Sequence, residues 1–261
     1  LDGEKSAVID RAEILRLASE FALEARIVEK DYILGWVLAG IYRDPLLAGT
    51  WVFKGGTCLK KCFFETYRFS EDLDFTVTDA TQLDAAFLEQ RFLELSNWLY
   101  ETAGIELPAE QRRFDIYNNR RDRKCCEGRV GYRGPIAPRA GDLPRVKLDL
   151  TADEIVVLPT VLRPVGHVYS DAPAEGITAR CYAFEEVFGE KVRALGERSR
   201  PRDLYDVINL FRNGEFHADA DVIREVVHQK LNVMNSIRQG LLGLLRLARE
   251  LGKRCLATCS G

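Results

Sequence analysis

Phe53-Lys54-Gly55-Gly56-Thr57, followed by Arg68-Phe69-Ser70-Glu71-Asp72-Leu73-Asp74-Phe75, decides how this chain folds. Thr50 to Phe53 is short and rich in β-formers. The Gly55-Gly56 pair makes a tight turn, and a helix is expected from Thr57 to about Tyr67. A strand then runs from Arg68 to Val77. Strand side chains alternate with period two, so Asp72, Asp74 and Thr76 share one face while Leu73, Phe75 and Val77 enter the core. Two carboxylates on one strand face stand roughly 7 Å apart at Cα. Two bare like charges at that range repel, and the pair makes sense around a hard cation such as Mg²⁺. Glycines let a backbone approach a ligand closely. Thr57 reads as the N-cap of the next helix, whose free amides and partial positive charge favour phosphate.

Two further stretches extend the pattern. In Val146-Lys147-Leu148-Asp149-Leu150, alternation puts Lys147 and Asp149 on one face. Asp149, from a neighbouring strand, would give a third carboxylate and complete a two-metal site, and it is also the candidate to take an acceptor proton. Phe184 to Leu195 reads as a helix in which Lys191 could neutralise triphosphate charge. Arg200-Pro201-Arg202-Asp203-Leu204-Tyr205-Asp206 follows. Pro201 fits a first helical turn, and Asp203 and Asp206 share a helix face.

Working outward, Ser6 is expected to cap a helix reaching about Leu23, and Glu29 to Tyr42 a second one that stops before Asp44-Pro45. Leu83 to Ala103 reads as a helix ending near Gly104. Arg112 to Arg133 carries eight Arg and Lys residues and reads as a hairpin turning at Asn118 to Lys124. Gly134 to Pro144 is a Pro/Gly loop. Arg145 to Leu150, Ile155 to Leu158 and Arg163 to Tyr169 are strand candidates. From Phe184 the character becomes helical: Phe184 to Arg198, Pro201 to Phe211, Ala220 to Met234 and Ser236 to Leu256. The expected division is 1–48 as N-terminal helices on the core, 49–182 as a catalytic domain and 183–261 as a helical domain, with the linker near Tyr182-Ala183.

Composition sets the outer limits. With 46% hydrophobic residues the chain can bury a substantial core, and with 30% charged it is not of the disordered class. A net charge of −3 demands no nucleic acid, so any basic patch must be local. The most apolar stretch, Leu241 to Ala248, is broken by Gly243 and Arg246, so no membrane span is expected. The opening Leu-Asp-Gly-Glu-Lys has no apolar run behind it and does not read as a signal peptide. A cytoplasmic protein is the expectation. The seven cysteines are Cys58/Cys62, Cys125/Cys126, Cys181 and Cys255/Cys259. None of these spacings is that of a zinc knuckle, and they read as free thiols.

Gly-Gly-Thr, Arg-Phe-Ser-x-Asp-Leu-Asp-Phe, Lys-Leu-Asp, Glu-Lys-x-x-Ala-Leu and Pro-Arg-Asp-Leu-Tyr-Asp, in that order over about positions 50 to 210, resemble the AbiEii/AbiGii nucleotidyltransferase toxin family. The 14 residues between Thr57 and Asp72 exceed the general superfamily spacing but fit this subfamily. The resemblance implies an α/β (α+β) fold of the DNA-polymerase-beta-like nucleotidyltransferase kind, with a mixed sheet, a helical N-terminal lead-in and a C-terminal helical bundle. It implies a Mg²⁺- or Mn²⁺-dependent enzyme that uses an NTP as substrate, as the toxin of a type IV-like toxin–antitoxin or abortive-infection system. Carried over residue by residue, Asp72, Asp74 and Asp149 are the metal carboxylates and, with Lys191 and Asp206, the catalytic set. Gly55, Gly56, Thr57, Lys191 and Asp203 are the nucleotide and phosphate contacts.

The acceptor implied is RNA, with tRNA as the family-based expectation, and a cognate antitoxin is the implied protein partner. The basic hairpin at Arg120, Arg121, Arg123 and Lys124 reads first as a solvated loop and otherwise as the place where RNA would bind, with Tyr117 and Tyr132 flanking it to stack on bases. Two alternatives stand beside this reading. One keeps the site and moves the nucleotide, or a phosphoryl group, to a protein such as the antitoxin. The other is a nucleotide-binding module without catalysis. The bland readings are a solvated strand face for Asp72 and Asp74, a simple cap for Thr57, surface charges for Lys54 and Lys61, and structural salt bridges for Asp203 and Asp206. His167, His217 and His228 receive no role.

Overall fold

The computed structural model describes residues 9–64, 70–119, 121–137, 141–216 and 218–232. The chain divides into two compact units, Leu1–Glu154 with Thr160–Cys181, and Ile155–Pro159 with Tyr182–Gly261.

The first unit is a seven-stranded mixed sheet with helices packed on it. Its strands are β1 (Trp51–Lys54), β2 (Asp72–Val77), β3 (Arg112–Asn118), β4 (Lys124–Gly131), β5 (Arg145–Thr151), β6 (Val161–Pro164) and β7 (Thr178–Cys181), in the order β3-β4-β5-β2-β1-β7-β6. The pairs β2/β5 and β1/β7 are parallel, and the other four are antiparallel. One face is apolar. Trp51 and Phe53 oppose Val77 and Phe75, and Leu73 and Phe75 align with Leu148 and Leu150. The Phe75 ring lies 5.2 Å from Trp51 and 5.3 Å from Phe53, distances at which aromatic pairs attract beyond simple burial.

The helices of this unit include α1 (Arg11–Glu20), α2 (Ala25–Arg43), α3 (Pro45–Thr50) and α5 (Ala85–Ala103), with the short α4 (Gly55–Cys58) described at the site. Helix α2 is buried nearly all round, with Tyr32, Trp36, Leu38 and Ile41 each at 1% exposure or less. Burying each such side chain stabilises the fold by about 1.5–3 kcal/mol. Helix α5 lays Phe92 against Phe114 of β3. It ends at Gly104 in the left-handed region (φ 64°), as its C-cap requires.

Several local expectations are corrected. Asp10 caps α1, accepting from the Glu13 amide at 2.9 Å; Ser6 lies outside the described residues. The second helix starts four residues earlier than expected, at Ala25. Val161–Pro164 replaces the expected strand at 163–169, and β7 was not anticipated. Ile155 to Leu158 is not a strand. Its Val157 and Leu158 amides donate to the carboxylate of Glu186, at 2.9 and 2.6 Å, and so are not free for a sheet ladder.

The second unit is helical within the described residues: α6 (Phe184–Arg198), α7 (Pro201–Arg212) and α8 (Ala220–Asn232). Glu186 is fully buried and also meets Lys230 of α8 at 2.9 Å, so one carboxylate ties α6, α8 and the 155–159 segment together. The helix expected at Ser236 to Leu256 lies outside the described residues.

Candidate active site

The polar face of the sheet carries the predicted carboxylates. Asp74 and Asp149 are register partners on the parallel β2/β5 pair, and Asp72 is paired with Lys147 one step along. Adjacent strands lie about 4.8 Å apart, so all three carboxylates occupy one patch of one face. Leu73, Phe75, Leu148 and Leu150 are buried behind them, which fixes the register, because a one-residue slip would turn every acid into the core.

The turn before β2 closes the patch. Gly55 has φ 82°, in the left-handed region, and a Cβ there would lie 2.1 Å from Oδ2 of Asp74. The glycine is thus required both by its own conformation and by the carboxylate beside it. Gly55–Cys58 form the single-turn helix α4, with Lys54 rather than Thr57 at the N-cap. That corrects the expected role of Thr57. Its side chain sits inside the turn, fully buried, and donates from Oγ1 to the Asp72 carbonyl at 2.6 Å. Thr57 therefore staples the glycine turn to the strand that bears the aspartates.

Charges around the acids are arranged in rungs. Lys147 Nζ lies 3.1 Å from Asp149 Oδ2. Burial works to lower the Lys147 pKa, but the hydrogen bond and charge of Asp149, with Asp72 and Glu127 behind it, outweigh that and raise it above the ordinary lysine value. Glu127 of β4 is the register partner of Asp149, and Asp115 of β3 the partner of Glu127. The sequence reading missed Glu127; its signal was the alternation of Cys125, Glu127 and Arg129.

Lys54 and Lys61 are not surface charges. Lys54 is buried and ion-paired with Glu154. Lys61 is buried and meets Asp31 Oδ2 at 3.0 Å and the Gly166 carbonyl at 3.2 Å. A buried ammonium must be paired, which is what these contacts achieve.

The remaining predicted residues belong to the second unit. Lys191 Nζ forms an ion pair with Asp206 Oδ2 at 2.8 Å, and Asp206 is fully buried. Asp203 is also buried, but its Oδ2 has no hydrogen-bond partner. In the basic hairpin, Arg121 is ion-paired with Asp153, and Arg120 lies outside the described residues. Tyr117 is half exposed, whereas Tyr132 is buried and is not available to stack on a base.

Three acids from two neighbouring strands thus share one face of the mixed sheet beside a glycine turn. The fold is similar to that of MenT4, a nucleotidyltransferase toxin from Mycobacterium tuberculosis H37Rv, with a TM-score of 0.53 and 23% sequence identity over 84% of this chain and 69% of that one. The sequence profile described as "Nucleotidyl transferase AbiEii toxin, Type IV TA system" matches residues 36–250. The chain belongs to this AbiEii family of nucleotidyltransferase toxins. Among curated proteins, none matches it.

Proposed function

We propose that this chain moves a nucleoside monophosphate from an NTP to an RNA acceptor, with tRNA as the acceptor class. The observation that carries the reading is the shared rung of Asp74 and Asp149, with Asp72 on the same face and Gly55 pressed against Asp74.

The donor set fits a divalent cation of the Mg²⁺ or Mn²⁺ kind: three carboxylates offer hard oxygen ligands and no soft one. Asp72, Asp74 and Asp149 would hold it. Bound there, such a metal supplies charge neutralisation for the triphosphate and acidifies the attacking hydroxyl. The chain's own parts do the rest. The amides of the Gly55–Thr57 turn bind phosphate oxygens, and Thr57 keeps that turn fixed to β2. Asp149 takes the proton of the acceptor hydroxyl. The role of Lys191 at the triphosphate, and those of Asp203 and Asp206 beside it, are carried by the family resemblance. An antitoxin partner follows from the family, which is that of a type IV toxin–antitoxin system.

The test is transfer of label from each of the four ribonucleoside triphosphates to bulk tRNA, and separately to candidate proteins, with and without added Mg²⁺. Label is expected on RNA with the wild type and not with Asp72→Asn or Asp74→Asn. Label on protein alone would replace the RNA acceptor. Full activity in both folded variants would remove these acids from the mechanism.

A further inference from the structure

Cys58 ends α4, and the helix continues as a π-turn, Leu59–Phe63, closed by the Phe64 amide donating to the Leu59 carbonyl at 2.9 Å. Such wide turns are uncommon and re-aim the side chains they carry. Cys62 sits in this one. Cys181 arrives from the far end of the domain, as the last residue of β7, where it pairs in register with Phe53 of β1. The strand β1 feeds directly into α4, so the parallel β1/β7 pair brings Cys181 beside the two helical cysteines. The three Sγ atoms lie within 4.8 Å of one another, and all three residues are buried.

We propose that Cys58, Cys62 and Cys181 form a three-thiolate site for one thiophilic cation of the Zn²⁺ or Cu⁺ class. Zn–S bonds of about 2.3 Å put ligating sulfurs about 3.8–4.0 Å apart, so the cluster closes on an ion with a shift of less than about 1 Å. Thiolate sulfur selects soft ions over Mg²⁺, which separates this site chemically from the carboxylates on the other face of the sheet. Arg163 of β6 donates from Nε to the Cys62 carbonyl at 3.0 Å, and its guanidinium lies over the Phe63 ring. Three thiolates around Zn²⁺ leave one net negative charge, and around Cu⁺ two, so the buried site is costlier to load with Cu⁺ on charge alone. No fourth His, Cys, Asp or Glu joins the cluster among the described residues. Loading would clamp β7 to the helical segment that begins with Gly55-Gly56-Thr57, and so stiffen the turn under the nucleotidyltransferase site. The inference rests on the thiols and not on the assignment of the acceptor.

The experiment uses the reduced full chain, stripped with a chelator. Titration with Cd²⁺ as a spectroscopic probe is expected to give thiolate-to-metal charge-transfer absorbance that saturates at one ion per chain, with Zn²⁺ and Cu⁺ competing for it. Cys181→Ser and Cys62→Ser should each weaken Cd²⁺ binding by more than about tenfold. Cys125→Ser/Cys126→Ser and Cys255→Ser/Cys259→Ser should leave it unchanged. X-ray absorption on the loaded wild type, which needs no variant to fold, should show three sulfur neighbours. Absence of saturable binding, fewer than three sulfurs, or binding indifferent to Cys181 and Cys62 would each overturn the proposal.

Discussion

Asp74 Oδ2 occupies the space into which a side chain on Gly55 would project: a Cβ at that position would stand 2.1 Å from it. The turn and the carboxylate are thus built against each other, and the backbone of Gly55 is held at φ 82°. Gly55→Ala meets both obstacles at once. It is expected to lower stability by about 1–3 kcal/mol through backbone strain. It should also cut transfer by about 100-fold by displacing Asp74, since displacements on the order of 1 Å at a reacting centre have that effect. Chemical denaturation and the tRNA transfer assay measure the two separately. An active, fully stable variant would show that the contact is dispensable.

Thr57 tests the same turn from the other side. Its hydroxyl donates to the Asp72 carbonyl at 2.6 Å in a fully buried position. Thr57→Val keeps the shape and removes the donor, leaving a buried carbonyl short of a partner. A loss of about 1–3 kcal/mol is expected, together with reduced transfer, because the glycine turn is no longer stapled to β2. Thr57→Ser should restore both. If Ser and Val behave alike in denaturation and in transfer, the hydroxyl has no positioning role.

The contrast between these two residues shows what could be read from sequence. Alternation in Asp72 to Val77 and in Val146 to Leu150 set the acids of each strand opposite its apolar residues, and the β2/β5 register is what puts the two sets on one face. The Gly-Gly pair announced its turn. What period could not supply was side-chain direction within that turn: Thr in a helix's first residues reads as a cap, yet Thr57 sits one turn-position deeper and bonds across to β2. Lys54 and Lys61 failed for a related reason. Charge alone suggests exposure, and their buried partners, Glu154 and Asp31, come from distant segments. The strand β7 is four residues long, too short for any periodic signal, and its pairing with β1 is a property of the whole sheet. The grouping of Cys181 with Cys58 and Cys62 was hidden with it.

Lys191 and Asp206 form a buried pair, and the pair can be separated from its proposed chemistry. Lys191→Met removes the ammonium that meets the buried Asp206 carboxylate at 2.8 Å, which is expected to cost about 3–5 kcal/mol. Asp206→Asn should be milder, since an amide can still accept a hydrogen bond from the ammonium. The double variant Lys191→Met/Asp206→Leu removes both charges and should recover most of the stability. If Lys191 acts on the triphosphate, the double variant stays inactive although it is folded. Recovery of transfer along with stability would reduce the pair to a structural salt bridge.

His167 gives the fold a pH dependence of its own. Its side chain is buried, neither ring nitrogen has a hydrogen-bond partner, and Asp171 Oδ1 stands 4.0 Å from Nε2. Burial, with Lys61 adding to it and Asp31 opposing it, lowers its pKa to about 3. In the unfolded chain the ring titrates near about 6.5. Between those values the unfolded state binds a proton that the folded state refuses. Stability is therefore fully present above about pH 6.5 and is lost as pH falls toward 3, by at most about 1.4 kcal/mol per unit. Asp171 works the other way: burial raises its pKa, so its protonation favours the folded state on acidification. The comparison of wild type with His167→Leu isolates the histidine, because Asp171 is present in both. Denaturation series from pH 7 to pH 4 should show a steeper fall for the wild type, with the two curves converging or crossing as the pH drops. Parallel curves over that range would mean that His167 takes up its proton alike in the folded and unfolded chains and that its burial carries no such penalty.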